Sequence, residues 1–347
     1  MGAVPTITLT HCDDASFFLA SDPFVMNERP FGTSVPVCPL SGTSDISLLA
    51  RIPTADIARL YQEFFALDIT ALFEGVEEIG MWRSAVSDLI FFDPPVMGDA
   101  AFYEALSRIP WYYEEEKFEF RFARERIAPD ARVLEVGCGP GFFGRHLGAE
   151  RYVGLETSPL ARERATAAGL DVRPLSVEAL AEREPGIYDA VVSFQVLEHV
   201  AHPANFLKGC VQALRPGGTL LISVPSMDGF MRCNLNDALN LPPHHVTRWS
   251  NQCLSWCAGM LGLELVALHL QRLSDGPHRR WFCKNLIDRA LMRFVGVEAD
   301  GPVTTHPLWF KFQPLSNALA GILEQGLTDP VLEPPGHTVI AVMRKPA

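Results

Sequence analysis

Between Val133 and Gly144 the chain reads V-L-E-V-G-C-G-P-G-F-F-G, an apolar run interrupted by one carboxylate and followed by glycines at 137, 139, 141 and 144. Glycines at this spacing let the backbone turn sharply and pass close beneath a ligand with no Cβ in the way. A strand feeding such a turn places a nucleotide-like ligand at the carboxyl end of the first strand of an α/β sheet. Gly139, Gly141 and Gly144 also satisfy G-x-G-x-x-G, so a dinucleotide-dependent oxidoreductase is one reading of the turn. Further on, Glu156 ends a second β-rich run, where a carboxylate can accept hydrogen bonds from both hydroxyls of a ribose. Three histidines complete the set: His199 in Q-V-L-E-H-V, and His244 and His245 in P-P-H-H-V-T-R-W-S. Imidazole titrates near neutrality and suits the removal of a proton from a hydroxyl.

The elements that must position these groups follow from periodicity. Beyond Pro129, β-rich runs at 132–136, 151–156, 170–174, 188–194 and 218–224 alternate with helical stretches near 141–148, 159–168, 177–184 and 197–214. That alternation predicts an α/β fold, a parallel sheet with helices on both faces. Runs at 263–270 and 337–343 complete seven strands, and the segment at about 275–336 between them reads as a helical insertion. Residues 1 to about 45 are rich in Pro, Ser, Thr and Gly and read as a loop-rich arm. A Thr54 cap opens an amphipathic helix, and two more helices are expected near 99–108 and from Tyr113 to about Ile127. Residues 1–128 are thus expected to form a mainly helical extension rather than part of a sheet, and residues 129–347 a ligand-binding domain.

Three motifs in order, E-V-G-C-G-P-G at 135–141, Q-V-L-E-H-V at 195–200 and L-R-P-G-G at 214–218, resemble those of the class I S-adenosylmethionine-dependent methyltransferases. The resemblance covers roughly 130–270 and the last strand, and implies a Rossmann-like seven-stranded methyltransferase sheet. It also implies S-adenosylmethionine as the cofactor. Glu135 and the backbone of Gly137, Cys138, Gly139 and Gly141 would surround its methionine part, and Glu156 would hold the ribose. The adenine would lie near Thr157, with Ser176, Val177 and Glu178 on its other side. Gln195 would offer its backbone or amide to the methionine end, and Tyr113, in the aromatic W-Y-Y-E-E-E-K-F run, would close over it. The P-P-H-H-x-T-R-W-S string is similar to a segment of bacterial sugar and secondary-metabolite methyltransferases, which points to O-methylation of a small hydroxylated metabolite. His245, His244 and His199, in that order, are the candidate bases. N-, C- or S-methylation is the near alternative, and a non-catalytic methyltransferase-like binding module a remoter one.

The remaining features bound the partners. With 29 basic and 41 acidic residues the net charge is −12, which argues against a nucleic-acid partner. The sequence shows no export signal and no apolar run long enough to span a bilayer, so a cytoplasmic protein is expected. Gly2 and Thr6 match the loosely specified myristoylation pattern, with Pro5 inside it. The eight cysteines include no C-x-x-C pair, and C-P-L-S-G at 38–42 has a serine where a zinc knuckle has its second cysteine. No metal site is therefore read. One local excess of positive charge runs from Arg272 to Arg293 on a helix-like stretch that includes Arg279 and Arg280. It fits recognition of an anionic or nucleotide-linked sugar acceptor, an anionic surface, a solvated face, or a contact within a homodimer.

Overall fold

Strand and helix alternate past Pro129 as the pattern demands. In the computed structural model, which describes residues 35–147, 151–275, 278–297, 301–327 and 334–347, seven strands form one sheet. They are β4 (Val133–Val136), β5 (Tyr152–Leu155), β6 (Asp171–Arg173), β7 (Tyr188–Phe194), β8 (Leu214–Pro225), β10 (Glu264–Arg272) and β11 (Pro335–Arg344), in the order β10-β11-β8-β7-β4-β5-β6. The pairs from β8 to β6 are parallel, whereas β11 runs antiparallel between β8 and β10. β4 and β5 are buried throughout and β7 at every position but Asp189, as a sheet covered on both faces requires. Helices α4 (Pro159–Ala167), α5 (Val177–Arg183), α6 (Pro203–Ala213) and α7 (Asn251–Met260) supply the crossovers. The insertion before β11 holds α8 (Arg279–Phe294) and α9 (Pro307–Gly326).

The extension departs from expectation. Helices α1 (Thr54–Phe65), α2 (Ala100–Ser107) and α3 (Phe118–Arg124) are present, but β1 (Ile46–Pro53), β2 (Glu78–Ser84) and β3 (Ile90–Asp93) form an antiparallel sheet among them. Its fourth strand, β9 (Thr247–Arg248), arrives from the loop after β8. These strands are short or half exposed, and the pairing of Phe91 with Thr247 is invisible to any local pattern. Thr54 does not cap α1: its hydroxyl donates to the Val76 and Glu77 carbonyls at 2.7 and 3.1 Å, while Pro53 occupies the cap position. The helix expected after Gly141 is, among the described residues, a single 3-10 turn at Gly144–His146. The myristoylation pattern and most of the loop-rich arm lie outside the described residues.

Trp249 locks the loop after β8 into the core. It is fully buried, its indole N–H donates to Thr247 Oγ1 at 3.0 Å, and its carbonyl accepts from Met227 N at 2.9 Å. Trp249→Ala is expected to cost about 3–5 kcal/mol of stability, read as a lowered urea midpoint at unchanged denaturant slope.

Candidate active site

The carboxyl ends of β4, β5 and β7 open into a cleft of about 1410 Å3. The extension adds Tyr103, Tyr112, Tyr113 and Glu119 to its wall, and the start of α8 adds His278 and Trp281. Ligands in open α/β sheets bind in this position. Of the residues singled out from sequence, Glu135, Gly137, Cys138, Gly139, Glu156, Thr157, Ser176, Val177, Glu178, Gln195, Tyr113, His199, His244 and His245 all line this one cleft.

Gly141 does not. A Cβ there would meet Leu170 at 2.4 Å and Ala165 at 3.0 Å, so this glycine lets the turn pack against α4 instead of forming the cradle. Gly137 and Gly139 do form the floor. Both have positive φ, and a Cβ on Gly137 would run into Val196 at 2.4 Å. Above them the Glu156 carboxylate accepts from Gly139 N at 2.9 Å and Ser158 N at 2.7 Å. Two backbone donors thus fix it, while its other lone pairs can serve a ribose diol. Ser176 caps α5 by accepting from Ala179 N. Gln195, at φ 56°, turns its amide toward Glu119 and Thr338, each at 3.3 Å. That amide is tethered, and so cannot reach freely toward a ligand.

The lining has a marked sign. Ten acidic residues face the cleft, and the only side chains there with a permanent positive charge are Lys117 and Arg121. Burial pushes the Glu135 carboxyl up to about 8, against the hydrogen bond it accepts from the Tyr152 hydroxyl. Burial also raises Glu119 and takes Glu198 up to about 8. Ten carboxyls outweigh those two cations, so the lining as a whole disfavours a pyrophosphate, and the 3-10 turn after the glycines is not a helix N-terminus. It does fit a sulfonium and an ammonium group, which a phosphate-free cationic cofactor carries.

The histidines form one cluster, with ligating nitrogens within 4.8 Å of one another. His199 Nδ1 donates to the His244 carbonyl at 2.6 Å, His244 Nδ1 to the Leu239 carbonyl at 2.8 Å, and His245 Nδ1 to Asn240 Oδ1 at 3.2 Å. Each ring therefore carries its lone pair on Nε2. His244 spends that lone pair on the Tyr112 hydroxyl at 3.1 Å, which leaves it none for a substrate proton. The Nε2 atoms of His199 and His245 each lie 3.9 Å from Glu198 Oε1. Burial holds His199 down at about 4, and the other two well below the usual imidazole range. Glu198, 1% exposed, has no hydrogen-bond partner for Oε2 among the described residues. Convergent acceptors of this kind can hold a proton or a divalent cation. Reading residues one at a time missed this grouping. Glu198 stands inside the L-E-H string, so the signal was present, but its burial was not visible there.

A family model described as a methyltransferase domain matches residues 113–268. A ubiquinone biosynthesis O-methyltransferase of Burkholderia thailandensis is 36% identical over 203 residues, 54% of this chain and 74% of that protein. The chain belongs to the class I S-adenosylmethionine-dependent methyltransferases. A ubiquinone biosynthesis O-methyltransferase of Xanthomonas campestris pv. campestris is 38% identical over 112 residues, 29% of this chain and 46% of that protein. The chain thus spans about half the length of that Xanthomonas protein. Among solved structures, a SAM-dependent methyltransferase from Archaeoglobus fulgidus superposes with a TM-score of 0.46 at 15% identity, covering 70% of this chain and 100% of that one. In this methyltransferase Glu156→Gln, which keeps the shape and removes the charge, is expected to weaken S-adenosylhomocysteine binding roughly 10- to 100-fold, measured by calorimetry, with the thermal midpoint nearly unchanged.

Proposed function

We propose that this methyltransferase O-methylates a small, neutral hydroxylated acceptor, with the Glu198, His199 and His245 cluster receiving the proton. Glu135, the backbone of Gly137 to Gly139 and Glu156 would hold the cofactor. When bound, S-adenosylmethionine supplies a methyl group on a positively charged sulfur that departs as a neutral thioether. The single observation that carries the reading is the convergence of two imidazole lone pairs and a buried carboxyl on the same cleft wall as the end of β7. Burial keeps both imidazoles neutral and able to accept a proton, and Glu198 compensates the charge when one does. His244 positions the pair: its carbonyl fixes the His199 ring, and its own ring is tied to Tyr112 and Leu239.

Cleft sign bears on the acceptor. Arg279 and Arg280 do not line the cleft, and Arg280 is engaged by the Asn317 carbonyl at 3.1 Å and Glu324 at 3.9 Å. The basic helix therefore gives no support to an anionic acceptor, and the acidic lining disfavours one. The relatives' printed name, ubiquinone biosynthesis O-methyltransferase, agrees with a hydroxyl acceptor.

His199→Gln and His245→Gln are each expected to lower kcat by about 10²–10⁴-fold while S-adenosylhomocysteine affinity stays within a few-fold; unchanged turnover in both variants would falsify the proposal. With S-adenosylmethionine saturating, so that Glu135 has already given up its proton, the kcat/KM profile for the acceptor should rise with pH through an inflection near 8, as Glu198 loses its proton. No inflection is expected near the ordinary imidazole value, and Glu198→Gln should erase the limb. A second reading, a divalent cation held by the same cluster, is favoured by the unpartnered Glu198 Oε2. Loss of activity on dialysis against a chelator, restored by one divalent metal, would replace the proton-transfer reading with this one.

A further inference from the structure

The cleft has a second wall. On the far side of β7 from the glycine turn, the ends of β8 and β10 and the starts of β11 and α8 bring Pro225, Gln271, His337, Thr338, His278 and Trp281 to its lining. The surface they make is aromatic. The His278 and His337 rings stack at 4.7 Å and 20°, and Trp281 lies 5.9 Å from His337 at 33°. Phe230, 4% exposed and outside the lining, meets the Trp281 indole edge-on at 5.3 Å and fixes it in place. Burial holds His278 at about 4 and His337 at about 3, so both imidazoles are neutral and each carries a single N–H.

A relay decides where the His337 hydrogen sits. Gln195 Nε2 donates to Thr338 Oγ1 at 3.3 Å, and that oxygen lies 3.1 Å from His337 Nδ1. Thr338 is 3% exposed, so its own hydroxyl hydrogen needs a partner, and His337 Nδ1 is the acceptor within reach. The His337 N–H is therefore on Nε2, which has no partner among the described residues. Polarity is thus reversed with respect to the base cluster: His199 and His245 present lone pairs on Nε2, whereas His337 presents a donor. The two walls lie close together, since a charge on His337 would oppose protonation of His245. A molecule between them meets a proton acceptor on one side and a hydrogen-bond donor on the other. Gln271 Oε1 is committed to Thr338 N at 3.2 Å, so the wall offers broad ring faces and few polar groups to pair the many hydroxyls of a sugar.

We propose that this wall is the acceptor subsite, and that it takes a flat unsaturated ring bearing, besides the reacting hydroxyl, an ether or carbonyl oxygen that accepts from His337 Nε2–H while Trp281 covers the ring. The assignment rests on the hydroxyl-acceptor reading above and adds to it the class of molecule. His337 and Trp281 select the acceptor and take no part in the proton transfer.

The test is calorimetry on the full chain saturated with S-adenosylhomocysteine, using meta- and para-methoxyphenol against meta- and para-ethylphenol, which match them in shape but lack the accepting oxygen. The methoxyphenols are expected to bind about tenfold more tightly. His337→Phe keeps a ring and removes the N–H, and should bring that ratio close to one, whereas His337→Gln retains a donor and should restore part of it. Thr338→Val leaves the imidazole in place but unpins its tautomer; the ratio should fall, and nitrogen NMR should show the His337 proton shared between Nδ1 and Nε2. Trp281→Ala should weaken all the phenols by a similar factor. S-adenosylhomocysteine affinity within a few-fold of the parent reports that each variant is folded. Absent or equal binding of the two pairs by the parent chain would overturn the proposal, as would a ratio unmoved by His337→Phe or tighter binding of a methyl glucoside than of any phenol. Selective binding with no methylation of the bound phenols would tell against the O-methylation reading and leave the subsite standing.

Discussion

Everything near the reacting groups hangs from one stretch of backbone, Pro242 to Trp249. The Pro243 carbonyl accepts from Gly98, the Val246 N–H donates to the Glu198 carbonyl at 2.9 Å, and the Val246 carbonyl accepts from Phe92 at 3.1 Å. Thr247 then pairs with Phe91, and Trp249 bridges to Ser226 at the end of β8. This one segment, a turn followed by a short strand, thus hydrogen-bonds to the extension's sheet, to the turn after β7 and to the main sheet. The turn before Thr247 brings the two histidines together: the His244 and His245 N–H groups both donate to the Leu241 carbonyl at 3.1 Å, and the two rings stack on each other beside His199. Arg248 reinforces this arrangement from within, donating to the Asn240 carbonyl at 2.6 Å from a buried position.

That segment also explains how the fold tolerates such an electrostatically costly wall. Buried carboxylates and imidazoles lose hydration, and in a low-dielectric site they settle by shedding charge. Glu198 and Glu135 move up and the histidines move down, so the resting cluster is largely neutral and inexpensive to keep dry. The groups then regain charge only when a cation or a proton arrives. Acidity at the rim, from Glu114, Glu116, Glu163 and Glu178, stays hydrated and acts at longer range.

How much of this was legible in the sequence depends on how local the cause is. The seven strands of the main sheet each carry their own apolar run, and their expected positions match the observed ones to within a few residues. The glycine turn was equally plain, because positive φ at Gly137 and Gly139 is a demand that glycine meets most cheaply. The N-terminal sheet was not legible. β3 is four residues long, and the strand it pairs with lies beyond the main sheet's fifth strand in sequence. Gly141 and His244 illustrate a subtler gap. Their residue types fitted the expected roles, but whether a Cα faces a ligand or a helix, and whether a lone pair is already spent, is set by packing. The acidity of the cleft was written in W-Y-Y-E-E-E-K-F, where the aromatic residues drew attention and the glutamates did not.

One buried pair links ligand binding to solvent pH. Glu135 shares a hydrogen bond with Tyr152 and is held up to about 8, so in the free protein at neutral pH it carries its proton. A cation seated beside it makes the carboxylate the favoured form, and the proton must leave. Capture of a cationic ligand is then also the release of an acid. Its measured heat would change with the ionisation enthalpy of the buffer, and its apparent affinity would rise by up to about tenfold per pH unit until the carboxyl of the free protein has titrated. The protein would thus read alkalinity through a side chain that solvent barely touches.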